Sequence, residues 1–362
     1  MFFTVLLFIA ILAILILVHE FGHFFAAKKS GVKVEEFGLG FPPRVFGVKR
    51  GETIYSINLL PIGGFVKIYG EDGEKKDDPR SFSSKSIRLR SLIVGAGVLM
   101  NMLLAIVIFS IGHGVGLPQV INGQENIANI KNVQVRITDV SANSPAESAG
   151  FQLGDSIIGM ELGVDMLTDV KNIEDVQGFT SRHLGEEITI SIARGNEILK
   201  RNLVPRSDPP QGEGAIGIAM LKTGEVSYPF YIAPLKGVES TFFVTVATLK
   251  AFGGIISDFA TSGTLRGDLS GPVGIAVMTG QVQKMGFIFL LQFMALISIN
   301  LAIINTLPFP ALDGGRLLFF AIEKVKGSPV NQKYEKIAHT VGFALLILLM
   351  IAITFRDVGK FL

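Results

Sequence analysis

Two histidines four residues apart, His19 and His23, flank a glutamate, Glu20, at the end of an apolar run that opens at Phe2 and has one polar interruption, Thr4. On an α-helix positions i and i+4 share a face, so both imidazoles can reach one ion. Glu20, one residue on, stays close to that ion with its carboxylate free to act as a base. This is zincin chemistry: neutral imidazoles hold Zn²⁺, the metal acidifies a water, and the glutamate takes its proton. The same residues also describe two satisfied helix histidines beside a snorkelling glutamate. A membrane-length setting weighs against that, because ionisable groups in hydrocarbon are costly and default to function.

A zinc site of this type needs a third protein ligand, and the helices must bring it to the right depth. From Phe2 to His19 the helix climbs roughly 25 Å, which puts the histidines inside the far edge of a hydrocarbon core about 30 Å thick. A basic stretch follows, with Lys28, Lys29, Lys33, Arg44, Lys49, Arg50, Lys75, Lys76, Arg88 and Arg90. The positive-inside rule makes it cytosolic. A second span runs from about Ser91 to Leu117, and its Asn101 reads as glue that hydrogen-bonds to a neighbouring helix. A third runs from Phe287 to about Leu307 and a fourth from about Ala338 to Thr354. The stretch between Tyr228 and Met285, punctuated by Glu239, Lys250 and Asp258, reads as an interfacial amphipathic segment. Four spans deliver Asp313 to the same side and depth as His19 and His23, where a carboxylate completes a His₂-carboxylate set. Capping of a helix that starts near Gly315 is the competing role for Asp313.

Composition agrees with a membrane protein: 49% of the 362 residues are hydrophobic and 18% are charged. The net charge of +2 gives no case for nucleic acid, and the absence of Cys removes thiolate ligands and disulfides alike. The leading apolar run reads as a retained span, because cleavage after it would discard the histidines. Within 28–90, GLGFPPRVFG and LLPIGGFVKIYGE alternate around glycines and predict short strands and hairpins. Phe65, Val66, Ile68 and Tyr69 are placed to dip into the membrane edge.

Residues 119–222 change to a soluble α+β character, with a strand hairpin turning at Gly195-Asn196. SPAESAGFQLGDSII here resembles a PDZ domain at Ala149, Gly150, Phe151, Gly154, Asp155, Ile157 and Ile158. In the permuted bacterial form of that family the peptide-binding loop closes the domain. The resemblance therefore points to Gly214, Ala215, Ile216, Gly217 and Ile218, either as a peptide groove or as part of a purely steric filter.

HEFGH in the first span, GGFVKIYGE, the PDZ-like insertion, LSGPVGIA at 269–276 and NTLPFPALDGG after the third span together resemble the site-2 protease family of intramembrane zinc metalloproteases. The likeness is to the bacterial regulator-of-sigma-E protease type. It implies one Zn²⁺ held by His19, His23 and Asp313, with Glu20 catalytic. It further implies that Asn305 contacts the substrate backbone. Residues 63–70 would form a re-entrant hairpin whose edge, Gly64, Phe65, Val66, Lys67 and Ile68, pairs with an unwound substrate. The expected fold is a multi-pass α-helical membrane protein of four transmembrane helices, with that hairpin region and one extracytoplasmic PDZ-like domain. Its parts are 1–118 with the cytosolic region 28–90, 119–222, 223–285 and 286–362.

The expected location is the bacterial cytoplasmic membrane, among its lipids, with both termini and the PDZ-like domain outside and the zinc site near the cytosolic side. The expected partner is a single-pass membrane protein, an anti-sigma factor trimmed by an upstream extracytoplasmic protease, or a remnant signal peptide. Departures from the family are a single PDZ-like domain in place of a tandem pair, and GVLMN where GPxxN is common in the second span. Two other classes use the same residues: a metal-ion transporter, which would need polar residues along several spans, and an inactive PDZ-bearing scaffold, which would have no use for Glu20.

Overall fold

The apolar N-terminal run forms helix α1 (Phe2–Lys29), and its buried side chains follow one ridge of four-residue steps: Ile11, Leu15, His19, His23 and Ala27. The histidines thus lie on the one stripe of α1 that faces protein. The computed structural model describes residues 2–73, 75–121, 130–195, 197–263 and 270–361. It divides into two units, Met1–Ile108 with Val238–Val277 and Met294–Leu362, and Phe109–Gly237 with Met278–Phe293.

In the first unit α1 is followed by two long strands, β1 (Val34–Arg50) and β2 (Thr53–Ile68), and then helix α2 (Ile87–Val115). Each strand bends and pairs twice, so the sheet runs in the order 44–50, 53–58, 34–39, 64–68. Residues 64–68 pair on one side only, from Val34 with Ile68 to Leu39 with Gly64, and form its edge. The apolar surface differs in place from the sequence expectation. Ile68 belongs to a core with Ala27, Val32, Val34, Ile93, Val94 and Phe320, Val66 packs against it, and Phe65 is half-buried. Exposed apolar side chains gather instead at the far turn: Phe41, Val45, Phe46, Ile57, Leu59 and Leu60.

The unit is completed by most of helix α5 (Ala233–Ser262), the start of α6 (Pro272–Met285), the greater part of α7 (Phe287–Thr306), α8 (Asp313–Lys326) and α9 (Gln332–Phe361). Among the described residues five helices are long and apolar enough to cross a membrane: α1, α2, α5 over Ala233–Asp258, α7, and α9 over Gln332–Gly359. This corrects the count of four. Between Glu239 and Asp258 an 18-residue window holds a single charge, Lys250.

The second unit carries a sheet in the order β3 (Leu117–Val120), β9 (Ile218–Val226), β4 (Ile130–Val140), β5 (Ser156–Leu162), β7 (Ile188–Arg194), β8 (Glu197–Leu203), with β6 (Asp165–Thr168) paired to β5. Short helices α3 (Pro145–Ser148) and α4 (Ile173–Arg182) close over a core that includes Val135, Ile137, Phe151, Ile157, Phe179, Ile190 and Ile192. Ser144 caps α3 through Glu147 N–H, and Asn172 and Asp175 form a capping box on α4. The last strand, β9, returns to pair with the first long one, β4. Strand, turn, short helix and strand follow one another over 133–158, in keeping with the expected α+β character. Asn196 in the β7–β8 turn and Leu269 of LSGPVGIA lie outside the described residues.

Candidate active site

Three acceptor atoms meet at one point. His19 Nε2 and His23 Nε2 are 3.2 Å apart, and Asp313 Oδ2 lies 3.1 Å from the first and 3.3 Å from the second. These are the only described His, Cys, Asp or Glu residues grouped so that three could hold one ion. A tetrahedral shell with bonds of 2.0–2.1 Å has ligand-to-ligand edges of about 3.3–3.4 Å, so the triangle has the size zinc needs. Asp313 Oδ2 is buried without a hydrogen-bond partner, which is what a carboxylate oxygen reserved for a metal leaves behind.

Each ligand is fixed by its element. The histidines sit on the buried ridge of α1, and His23 Nδ1 donates to the Ile93 carbonyl of α2 over 2.9 Å. That bond settles the tautomer and turns the Nε2 lone pair into the cluster. His19 Nδ1 faces the Asn101 side chain. Gly97 of α2 backs both rings: a Cβ there would overlap His23 Nε2 and stand 2.7 Å from His19 Cε1.

Asp313 arrives from the break between α7 and α8. The backbone turns through bonds from Phe309 N–H to Leu307 O and from Leu312 N–H to Phe309 O. Gly314 fits beneath it only without a side chain, because a Cβ would overlap the carbonyls of Thr306 and Leu307. Ala311 takes a left-handed conformation, φ 77°, with its N–H held by His339 Nδ1 of α9 at 2.8 Å. The N-cap of α8 is Leu312, which makes no side-chain cap, and Asp313 turns its carboxylate to the histidines. The capping role for Asp313 is therefore not the one it takes.

The match to known proteins runs the length of this site and beyond. A family model described as peptidase family M50 covers residues 7–349, from within the first helix past Asp313. The chain belongs to peptidase family M50. It is 37% identical over 362 residues to a candidate zinc metalloprotease of Clostridium acetobutylicum, covering 99% of this chain and 98% of that one. It is 31% identical to the zinc metalloprotease RasP of Geobacillus kaustophilus and 30% identical to the regulator of sigma-W protease RasP of Bacillus subtilis. Both of these matches cover 99% of this chain and 98% of the relative. This M50 peptidase is a zinc metalloprotease and an integral membrane protein.

The other predicted residues of the M50 chain fall in three places. Gly64, at the start of the sheet edge, lies against the catalytic helix: a Cβ on it would be 3.4 Å from Glu20 Cγ and from Ile16 Cγ2. Phe65, Val66, Lys67 and Ile68 continue that edge. The segment beyond it is tied to the neighbouring helices, Glu71 accepting from Arg316 of α8 and the Gly73 carbonyl accepting from Gln332 of α9 over 2.7 Å. Asn305 is half-buried in the last turn of α7, and its amide makes no hydrogen bond among the described residues. In the second unit, Gly214 to Ile218 form the turn into β9. The Ala215, Ile216 and Gly217 carbonyls accept from Arg206, Ala146 and Ser141, and the Gly217 N–H goes to the Gly214 carbonyl. One amide expected to receive a peptide carboxylate is thus already taken. Beyond the turn, β9 pairs with β4 along its length and with β3 only from Thr223 on, so among the described residues no strand pairs with its other edge at Ile218–Leu221.

Sequence reasoning missed Gly97 and the Ile93 carbonyl. Gly97 is signalled only by its place four residues before Asn101, and a backbone acceptor has no signal at all.

Proposed function

We propose that this chain is an intramembrane endopeptidase that cuts single-pass membrane proteins within or beside their transmembrane helix. The observation that carries the reading is the Nε2, Nε2, Oδ2 triangle with Glu20 beside it and a free sheet edge starting against Glu20. His19, His23 and Asp313 hold one Zn²⁺. When bound, the metal supplies a Lewis acid for the scissile carbonyl and makes water acidic enough to react at neutral pH.

The remaining chemistry belongs to the chain's own residues. A peptide bond in a helix is shielded, so the substrate must unwind, and each backbone group left unpaired in lipid costs several kcal/mol. Residues 64–68 offer a new set of partners by strand addition, and Asn305 adds a side-chain amide for the same backbone. Glu20 removes a proton from the attacking water and returns it to the leaving amine.

In the orientation consistent with this, the N-terminus and the PDZ-like domain are extracytoplasmic and the zinc site is near the cytosol. Cysteines introduced at Lys75 and Glu197 are expected to label from opposite faces of the membrane; labelling from one face contradicts that orientation.

The PDZ-like domain acts as a gate that admits a trimmed stub and excludes an intact ectodomain, with Ile218–Leu221 as its open edge. The substrate class is an anti-sigma factor already cut outside, or a remnant signal peptide. The sigma-factor wording in the Bacillus subtilis relative's name supports the first. Glu20→Gln is the test. It is expected to keep wild-type zinc content and to lose at least about a hundredfold in cleavage of a model transmembrane substrate, the low end for removing a general base. Cleavage at the wild-type rate with zinc retained overturns the mechanism.

A further inference from the structure

Asn101 is fully buried in α2, and its Oδ1 has no hydrogen-bond partner among the described residues. Its Nδ2 lies 3.5 Å from His19 Nδ1. A metal on His19 Nε2 leaves the ring's one proton on Nδ1, so two donors would then face each other. A half-turn of the amide about its Cβ–Cγ axis removes the donor–donor conflict, because it exchanges the two amide atoms and leaves every other atom in place. Oδ1 then receives the His19 Nδ1–H, and Nδ2 takes the position that Oδ1 held. The backbone is already set for this, since Ser298 Oγ of α7 donates to the Asn101 carbonyl over 2.8 Å and fixes α2 at this level.

We infer that Asn101 is the positioning residue for His19, accepting its Nδ1–H so that Nε2 is held as a metal ligand. The two histidines are then oriented in parallel ways, His23 by the Ile93 carbonyl and His19 by the Asn101 side chain, both from α2. Outer acceptors of this kind raise ligand basicity and lock the ring, and removing one typically weakens metal binding 10–100-fold. This rests on the assignment of His19, His23 and Asp313 as zinc ligands.

The test uses the purified full chain in detergent, with Zn²⁺ affinity read by chelator competition and the ligand field read by Co²⁺ absorption. Asn101→Leu has nearly the same size and no acceptor, and is expected to weaken Zn²⁺ binding 10–100-fold and to alter the Co²⁺ bands. Asn101→Asp can only accept, and is expected to stay within about threefold of wild type. Leucine binding as wild type does overturns the inference, and so does aspartate failing as badly as leucine. Should the leucine variant not fold, aspartate decides alone: retained affinity supports an accepting Asn101, and lost affinity contradicts it. Asp313→Asn serves as the control beneath it. If that variant binds Zn²⁺ as wild type does, the ligand assignment fails, and the inference fails with it for a separately identified reason.

Discussion

Histidine meets aspartate at two places among the described residues, with different outcomes. In the first unit His19 and His23 approach Asp313 at 3.1 and 3.3 Å. In the second, His183 Nε2 lies 2.9 Å from Asp165. The distances barely distinguish them. What differs is the surroundings. Asp165 is half-exposed, shares its carboxylate between Arg182 and His183, and so has donors at hand. At the first site both histidines are buried and the carboxylate oxygen between them has no donor. Burial alone is not the signature either. Asp155 in the second unit is wholly buried, yet Arg194 meets both its oxygens at 2.7 Å, and the guanidinium is held charged by that carboxylate. A metal site is marked by acceptors that converge in a dry place with nothing to accept from.

The strongest way to break this contrast is to fill the space behind the rings. Gly97→Ala is expected to displace His23, lower Zn²⁺ affinity by more than about a hundredfold, beyond the usual effect of an outer-shell change, and abolish cleavage. Chelator competition checks it, and unchanged affinity would mean the cluster is not where the metal sits.

The two acids of the second unit should then separate. Asp155→Asn leaves the Arg194 guanidinium without its counter-charge and is expected to lower the stability of that domain by about 3 kcal/mol in denaturant titration, with zinc content unchanged. Asp165→Asn is expected to leave stability unchanged within error, as for most exposed pairs. The hydrogen bond from His183 holds the Asp165 carboxyl below the ordinary carboxylate range. Whatever the pair contributes is therefore present above that range and is lost as pH falls through the lowered value. A stability loss for Asp165→Asn as large as for Asp155→Asn would erase the distinction between them.

Much of the site was legible in the sequence because its parts follow simple periods. His19 and His23 announce themselves by helical spacing inside an apolar run, and Asp313 by its place after a span broken by Pro308 and Pro310. The strand hairpin turning at Gly195 was legible for the same reason. Less was legible where contacts are long-range. Asn101 reads as a generic helix bridge until His19 is seen against it, and Gly97 as an ordinary small residue until the rings are behind it. The double pairing of β1 and β2 depends on bends that local alternation does not encode, so the apolar surface fell at the far turn instead of at Phe65 to Tyr69. Helix α5 escaped because three well-spaced charges give an amphipathic reading without breaking a window of spanning length.

The central claim is that one zinc ion is held by two imidazoles from α1 and a carboxylate delivered 290 residues later, at Asp313. Zinc K-edge absorption of the purified wild-type protein tests it most directly. Four nitrogen or oxygen neighbours at about 2.0–2.1 Å, with the outer-shell scattering of two imidazoles, is the expected spectrum. A six-coordinate, all-oxygen environment, or a single imidazole, would contradict it.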